Sequence, residues 1–182
     1  MAPESRDLNV EDACRRFSLI YTGAIADVLD EMGYSKQCLP AAIQSLNWDQ
    51  RVAGAAMTVE GQQTSSKDPE EIYIPVLQML GDLQPGDVIV SQPNDGICAH
   101  IGELSSEAAQ FRGARGAVID GGARDTDYIR KLGFPVFCRY RTPRDIVGRW
   151  KLITYSRGRK ALPLGDIRPL DRQGPLRFFP KA

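Results

Sequence analysis

Between residues 85 and 140 the chain alternates two patterns, and that alternation limits the possible folds more than any other feature. "PGDVIVS", "GAVID" and "PVFCRY" are short apolar runs opened by turn residues, each the length of one buried strand. Between them lie "HIGELSSEAAQFRG" and "DTDYIRKLG", which have helical character, the second closed by Gly133. Strands alternating with helices of this length require β-α-β crossovers and a sheet that is at least partly parallel. In such sheets ligands gather at the C-terminal strand ends, where the chain turns into helices. Both "SQPNDGICAHIGEL" and "DGGARD" occupy that position.

The upstream half supplies further elements. "YTGAIADVLDEMG" sets Ala24, Ile25, Val28, Leu29 and Met32 at helical spacing, with Thr22 as N-cap and Gly33 just past the end. "RVAGAAMTVE" reads as a strand entering the polar loop "GQQTSSKDP". Asp68, Pro69 and Glu71 then form an N-cap, a first-turn proline and a capping-box partner for a helix through Leu80, which Pro75 should bend or restart.

The 182 residues suffice for one well-filled core. Lysine plus arginine and aspartate plus glutamate each number 23, so no overall charge points to nucleic acid or an anionic membrane. No apolar run reaches the roughly 20 residues of a membrane span, and the first residues lack the apolar centre of a signal peptide, so a cytoplasmic protein is expected. Cys14, Cys38, Cys98 and Cys138 form no Cys-x-x-Cys pair and read as reduced, mostly buried thiols.

The candidate chemistry lies in "VIDGGARD". Gly121 and Gly122 read as a turn that lets backbone amides come close to a ligand and in which the chain can take a positive φ. Arg124 offers a planar donor fork for a carboxylate or a developing enolate oxygen, and Asp125 a hard oxygen for a divalent cation. The plainer alternative makes Asp125 the cap of the next helix and Arg124 a surface residue. In "GELSSE", first-turn amides around Glu103, Leu104 and Ser105 could grip a substrate carboxylate, with Glu103 holding metal-bound water; alternatively Glu103 only complements the helix dipole.

Other chemistries have less support. His100, the single histidine, lacks a triad arrangement and reads as structural. There is no G-x-G-x-x-G after a strand and no G-x-x-x-x-G-K-[ST]. Lys131 is the one lysine close in sequence to the candidate site, a thin basis for a Schiff base. Phe178 and Phe179 among basic residues read as part of a solvated tail rather than an RNA platform.

The succession "PGDVIV", "GEL", "RGARGAVIDGGARD" and "GFPVF", preceded by "TGAIADVLDEMG", resembles the 4-hydroxy-4-methyl-2-oxoglutarate / 4-carboxy-4-hydroxy-2-oxoadipate aldolases and the related regulators of ribonuclease E activity. The resemblance spans roughly residues 18–155. It implies a single α/β domain of the swivelling β/β/α type, with helices packed on a partly parallel central sheet, over residues 1–155. It also implies that Arg124 polarises a keto acid, that Asp125 binds magnesium or manganese and that Glu103 orients metal-bound water. The Leu104 and Ser105 amides would bind the substrate carboxylate, Ser105 standing where leucine is usual.

The expected activity is divalent-metal-dependent cleavage of a 4-hydroxy-2-oxo acid to pyruvate, with oxaloacetate decarboxylation on the side, in a homotrimer or hexamer with interfacial sites. The alternative is a non-catalytic protein that binds and regulates a ribonuclease. Residues 156–182 depart from the family pattern: seven lysines or arginines, two aspartates and four prolines form an atypical basic tail. Aldolase members draw a further glutamate from a neighbouring subunit's C-terminal part, whereas the last glutamate here is Glu107.

Overall fold

A computed structural model of the protein describes residues 9–157. The elements are α1 (Val10–Ser18), α2 (Thr22–Glu31), β1 (Gln44–Ser45), β2 (Ala55–Gln63), α3 (Pro69–Asp82), β3 (Asp87–Gln92), β4 (Ala99–Ile101), α4 (Glu103–Phe111), β5 (Gly116–Ala123), α5 (Thr126–Leu132), β6 (Val136–Arg141) and β7 (Trp150–Arg157). One sheet runs in the order β1-β6-β5-β3-β2-β7, with β4 paired to the end of β5. The β2–β3, β3–β5, β4–β5 and β5–β6 pairs are parallel, and the β1–β6 and β2–β7 pairs antiparallel. The α/β class with a partly parallel sheet and packed helices is the one expected. Among the described residues no helix is long and apolar enough to cross a membrane.

Strand β3 is buried at every position, as a central parallel strand covered on both faces must be. Alternation then sorts its neighbours. Met57, Ile89, Ala117, Ile119 and Val136 join Ile72 and Met79 of α3, Ala109 of α4 and Ile129 of α5 in the larger core. Ala56, Val88, Val90 and Val118 face the other way, against Leu39, Ile43, Val52 and Phe137. Ile72, Ile129 and Phe134 are essentially inaccessible, each worth about 1.5–3 kcal/mol of burial.

Asp68 caps α3 by accepting the Glu70 N–H at 3.0 Å, with Pro69 in the first turn as expected. Three local details differ from the sequence reading, the first only in that Pro75 causes no restart. The helix passes through Pro75 without restarting and continues to Asp82. Glu71 turns outward to pair with Lys151 of β7 rather than closing a capping box. Thr22 is the first residue of α2, whose N-cap is Tyr21 with no side-chain bond.

The expected glycine turn is also corrected. Gly121 and Gly122 lie inside β5, and neither has a positive φ. They are small because a Cβ on Gly121 would stand 2.5 Å from His100 Nδ1, and one on Gly122 2.4 Å from the Tyr140 ring. Strand β7 continues through Arg157, beyond the expected boundary at 155, and its Ser156 pairs with Thr58. The rest of the basic tail lies outside the described residues.

Candidate active site

Strands β4 and β5 bring two helix starts together. Ala99 pairs with Gly122 and Ile101 with Ala123 across a register shift, and the Arg124 N–H donates to the Ile101 carbonyl at 3.0 Å. One residue later β4 becomes α4 at Gly102, while β5 becomes α5 at Asp125. A Cβ on Gly102 would lie 2.8 Å from Asp125 Oδ2 and 3.1 Å from Arg124 Cγ, so this contact requires glycine.

Asp125 is at the N-cap of α5 but does not cap it. Its φ of 53° and ψ of 34° are left-handed, and its side chain makes no capping bond. The carboxylate turns to the other helix start, where Oδ2 accepts the Glu103 N–H at 3.3 Å and lies 3.4 Å from Arg124 Nε. A non-glycine residue held in this region costs about 1–3 kcal/mol and persists only where the surroundings over-determine it. The capping alternative for Asp125 is therefore excluded. Asp125 and Arg124 side chains remain about two-fifths exposed, within reach of a ligand.

Glu103, Leu104 and Ser105 form the first turn of α4. The first intrahelical bond runs from Ser106 N–H to the Gly102 carbonyl at 3.0 Å, leaving the Leu104 and Ser105 amides without an intrahelical partner. Ser105 Oγ accepts the Gly102 N–H at 2.9 Å and donates to the Gly102 carbonyl at 3.0 Å, fixing the turn. The Leu104 side chain is exposed and the Glu103 side chain half-buried. All five candidate residues thus sit at one junction. An apolar hollow of about 480 Å³ between α2 and the sheet is lined by none of them.

Two neighbours were not foreseen. Asp145, in the loop from β6 to β7, places Oδ2 at 3.2 Å from Arg124 Nη1. The Tyr73 hydroxyl of α3 donates to the same oxygen at 3.3 Å. "RTPRD" carries no local signal of this, since the contact links positions 21 and 72 residues apart from their partners.

Behind the junction lies a buried polar knot. His100 Nδ1 accepts the Gly122 N–H at 3.2 Å, which assigns the ring proton to Nε2, 3.2 Å from Asp95 Oδ2. The same oxygen accepts from the Ile97 amide at 3.0 Å, the Cys98 amide at 2.9 Å and the Cys98 thiol at 3.2 Å. Burial pushes His100 down to about 4 against the pull of Asp95, and pushes the Cys98 thiol up to about 12, with Asp95 adding to the effect. Burial would raise Asp95, but the Cys98 and Ile97 amides, the thiol and His100 together hold it below its ordinary value.

Two places must be tested for a divalent cation. Asp95, Cys98 and His100 have ligand atoms within 4.8 Å of one another. The donor set there is nevertheless satisfied by hydrogen bonds: a metal on Nε2 would move the ring proton to Nδ1, against the Gly122 N–H. Asp125 fits better. Its carboxylate is exposed, is not committed to a cap and lies beside free first-turn amides, as suits magnesium, which takes few protein ligands and keeps waters.

The sequence profile of the RraA-like family, described as Aldolase/RraA, matches residues 22–152. The chain belongs to the RraA-like family. This RraA-like chain is 35% identical over 129 residues to a Halalkalibacterium halodurans protein with the provisional name 4-hydroxy-4-methyl-2-oxoglutarate aldolase. The match covers 70% of this chain and 56% of that relative, so the chain spans little more than half its relative's length. A solved structure described among novel cellulases of gut-associated microbes superposes with a TM-score of 0.77 at 29% identity, covering 86% of this chain and 70% of the other. Streptomyces coelicolor RraAS2, described as an unusual member of the RNase ES inhibitor RraA family, gives 0.65 at 23% identity over 78% and 70% of the two chains, a likeness of fold.

Proposed function

We propose that the protein is a divalent-metal-dependent lyase that cleaves a 4-hydroxy-2-oxo dicarboxylic or tricarboxylic acid to pyruvate and also decarboxylates oxaloacetate. The observation that carries this reading is the conformation of Asp125, held left-handed and freed from capping so that its carboxylate meets Arg124 and the start of α4. The aldolase name of the Halalkalibacterium halodurans relative supports the reaction class.

Asp125 would hold magnesium or manganese, which when bound supplies Lewis-acid stabilisation worth several kcal/mol of the barrier. The Leu104 and Ser105 amides, at the positive end of α4, would bind the substrate carboxylate. The Arg124 guanidinium would stand by the 2-oxo oxygen. The C4 hydroxyl proton leaves toward Glu103, the C3–C4 bond breaks and its electron pair passes into the enolate of pyruvate. Arg124 stabilises the new oxyanion, and protonation at C3 completes pyruvate. Oxaloacetate would lose carbon dioxide through the same enolate. Apolar side chains exposed at Leu19, Ile20, Tyr21, Val28, Met32 and Trp48 support self-association, in line with the trimer or hexamer expected from the resemblance.

The test is pyruvate release from several 4-hydroxy-2-oxo acids and oxaloacetate, with and without Mn²⁺. Activity should require the metal, disappear with EDTA and be lost in Arg124→Ala and Asp125→Ala. Full activity in either variant removes the mechanism. Absence of metal-dependent oxalate binding in the intact protein would favour the ribonuclease-regulator alternative.

A further inference from the structure

We propose that Asp145 is a positioning residue for Arg124: its carboxylate pairs with Nη1 while Asp125 pairs with Nε, and the two together orient the guanidinium toward an incoming oxyanion. The inference deepens the reading above and rests on Arg124 being the group that stabilises the enolate. Its basis is geometric. Arg124 Nε lies 3.4 Å from Asp125 Oδ2 and Nη1 lies 3.2 Å from Asp145 Oδ2, so two carboxylates flank different nitrogens of one planar guanidinium.

Asp145 is itself fixed. Its Oδ1 accepts the Ile146 N–H and its Oδ2 accepts the Tyr73 hydroxyl at 3.3 Å. The loop carrying it is tied to the site strands, because the Thr142 N–H donates to the Ala123 carbonyl at 3.0 Å and the Ala99 N–H to the Arg144 carbonyl at 2.9 Å. The carboxylate therefore moves with β4 and β5, the strands that aim Arg124 and Gly102. With both acids about two-fifths exposed, the pairs contribute little to stability. Their effect is on direction: left free, an arginine side chain samples many rotamers, and a misplacement of about 1 Å at a reacting group can cost roughly 100-fold in rate.

The experiment measures Mn²⁺-dependent pyruvate release from oxaloacetate by the full chain. Asp145→Asn should lower kcat by about 10- to 100-fold with KM changed far less, and Tyr73→Phe should lower kcat by less, both with unchanged thermal melts. A second readout separates aiming from general structure. Added guanidinium should restore part of the activity of Arg124→Ala, and that rescue should be lost in Arg124→Ala/Asp145→Asn, where the free cation has lost an anchor. Wild-type kcat in Asp145→Asn, or equal rescue in the single and double variants, overturns the proposal while the lyase reading stands. A wild-type protein that releases no pyruvate with Mn²⁺ overturns both.

Discussion

The imidazole of His100 accepts the backbone N–H of Gly122 through Nδ1 at 3.2 Å, taking the place of a strand carbonyl where the β4–β5 register shifts. Protonation of Nδ1 would place two donors face to face, so the bond requires a neutral ring. Burial depresses His100 to about 4 from an ordinary 6.5. A depressed folded value means the unfolded chain binds the extra proton first, so this stabilisation is complete above about pH 6.5 and falls as the pH drops toward 4. The loss is on the order of 3 kcal/mol. Because the chain contains one histidine, the slope belongs to one residue. Urea unfolding of the wild type should give a midpoint that declines between pH 7 and pH 5, and His100→Gln should flatten that decline; an equal slope in both would refute the assignment.

The glycines of β5 should tolerate no methyl group. A Cβ at Gly122 meets the Cys98 carbonyl oxygen at 2.6 Å as well as the Tyr140 ring, and the backbone atom cannot swing aside. Gly122→Ala should therefore destabilise by about 3 kcal/mol or more. Gly81, inside α3 with nothing within 4 Å of the place a methyl would occupy, is the contrasting case. Gly81→Ala should stabilise by about 0.5–1 kcal/mol, a rise of roughly 1–4 °C. Thermal melts of the two variants should move in opposite directions.

This contrast shows what the sequence made legible. The apolar runs at 88–90, 117–119 and 136–138 announced the strands, and Gly133, with φ of 74°, ended α5 as read. The nearness of the two helix starts was legible because β-α-β connections force neighbouring strands to point the same way, but β4 was not, since Ala99–Ile101 form a strand where "HIGELSSEAAQFRG" read as helical from His100. The reason for "GG" was not. Both small residues fit a turn equally well, and only the ring of His100 and the ring of Tyr140, brought in by pairing of β4 and β6, show that space rather than φ decides. Asp145 was invisible for a related cause: its partners are set by tertiary docking of a loop, and no periodicity encodes that.

Thiol chemistry gives a separate check on burial. Cys14, Cys98 and Cys138 are buried and Cys38 is exposed. Burial raises the first three thiols, with Cys98 reaching about 12. Thiolate is the reactive form, so a neutral-pH reaction with an aromatic disulfide reagent should show one fast thiol, removed by Cys38→Ser, and three that react only on unfolding. Zinc added to the native protein should leave the slow three unchanged, since Cys98 is held as a thiol donor to Asp95. Fast labelling at Cys98, or its protection by zinc, would contradict the hydrogen-bonded knot.

Asp125 should display a conflict between stability and activity. Its left-handed backbone, φ 53°, is uncomfortable for a residue with a Cβ and costs glycine almost nothing. Its carboxylate makes no capping bond to α5, and its pairs with Arg124 at 3.4 Å and the Glu103 amide at 3.3 Å are long and partly exposed, so little is lost from the fold when it is removed. Asp125→Gly should therefore leave the melting temperature unchanged or raise it by a few degrees, corresponding to about 0–1 kcal/mol, while abolishing metal-dependent pyruvate release. Asp125→Asn keeps a side chain that tolerates this region and should melt like the wild type, yet it loses the negative charge and should be as inactive as the glycine variant. Asp125→Ala, with the backbone strain and no polar side chain, should be the least stable of the three. If Asp125→Gly melts well below the wild type, the carboxylate is a structural support and the strain at this position has been misassigned.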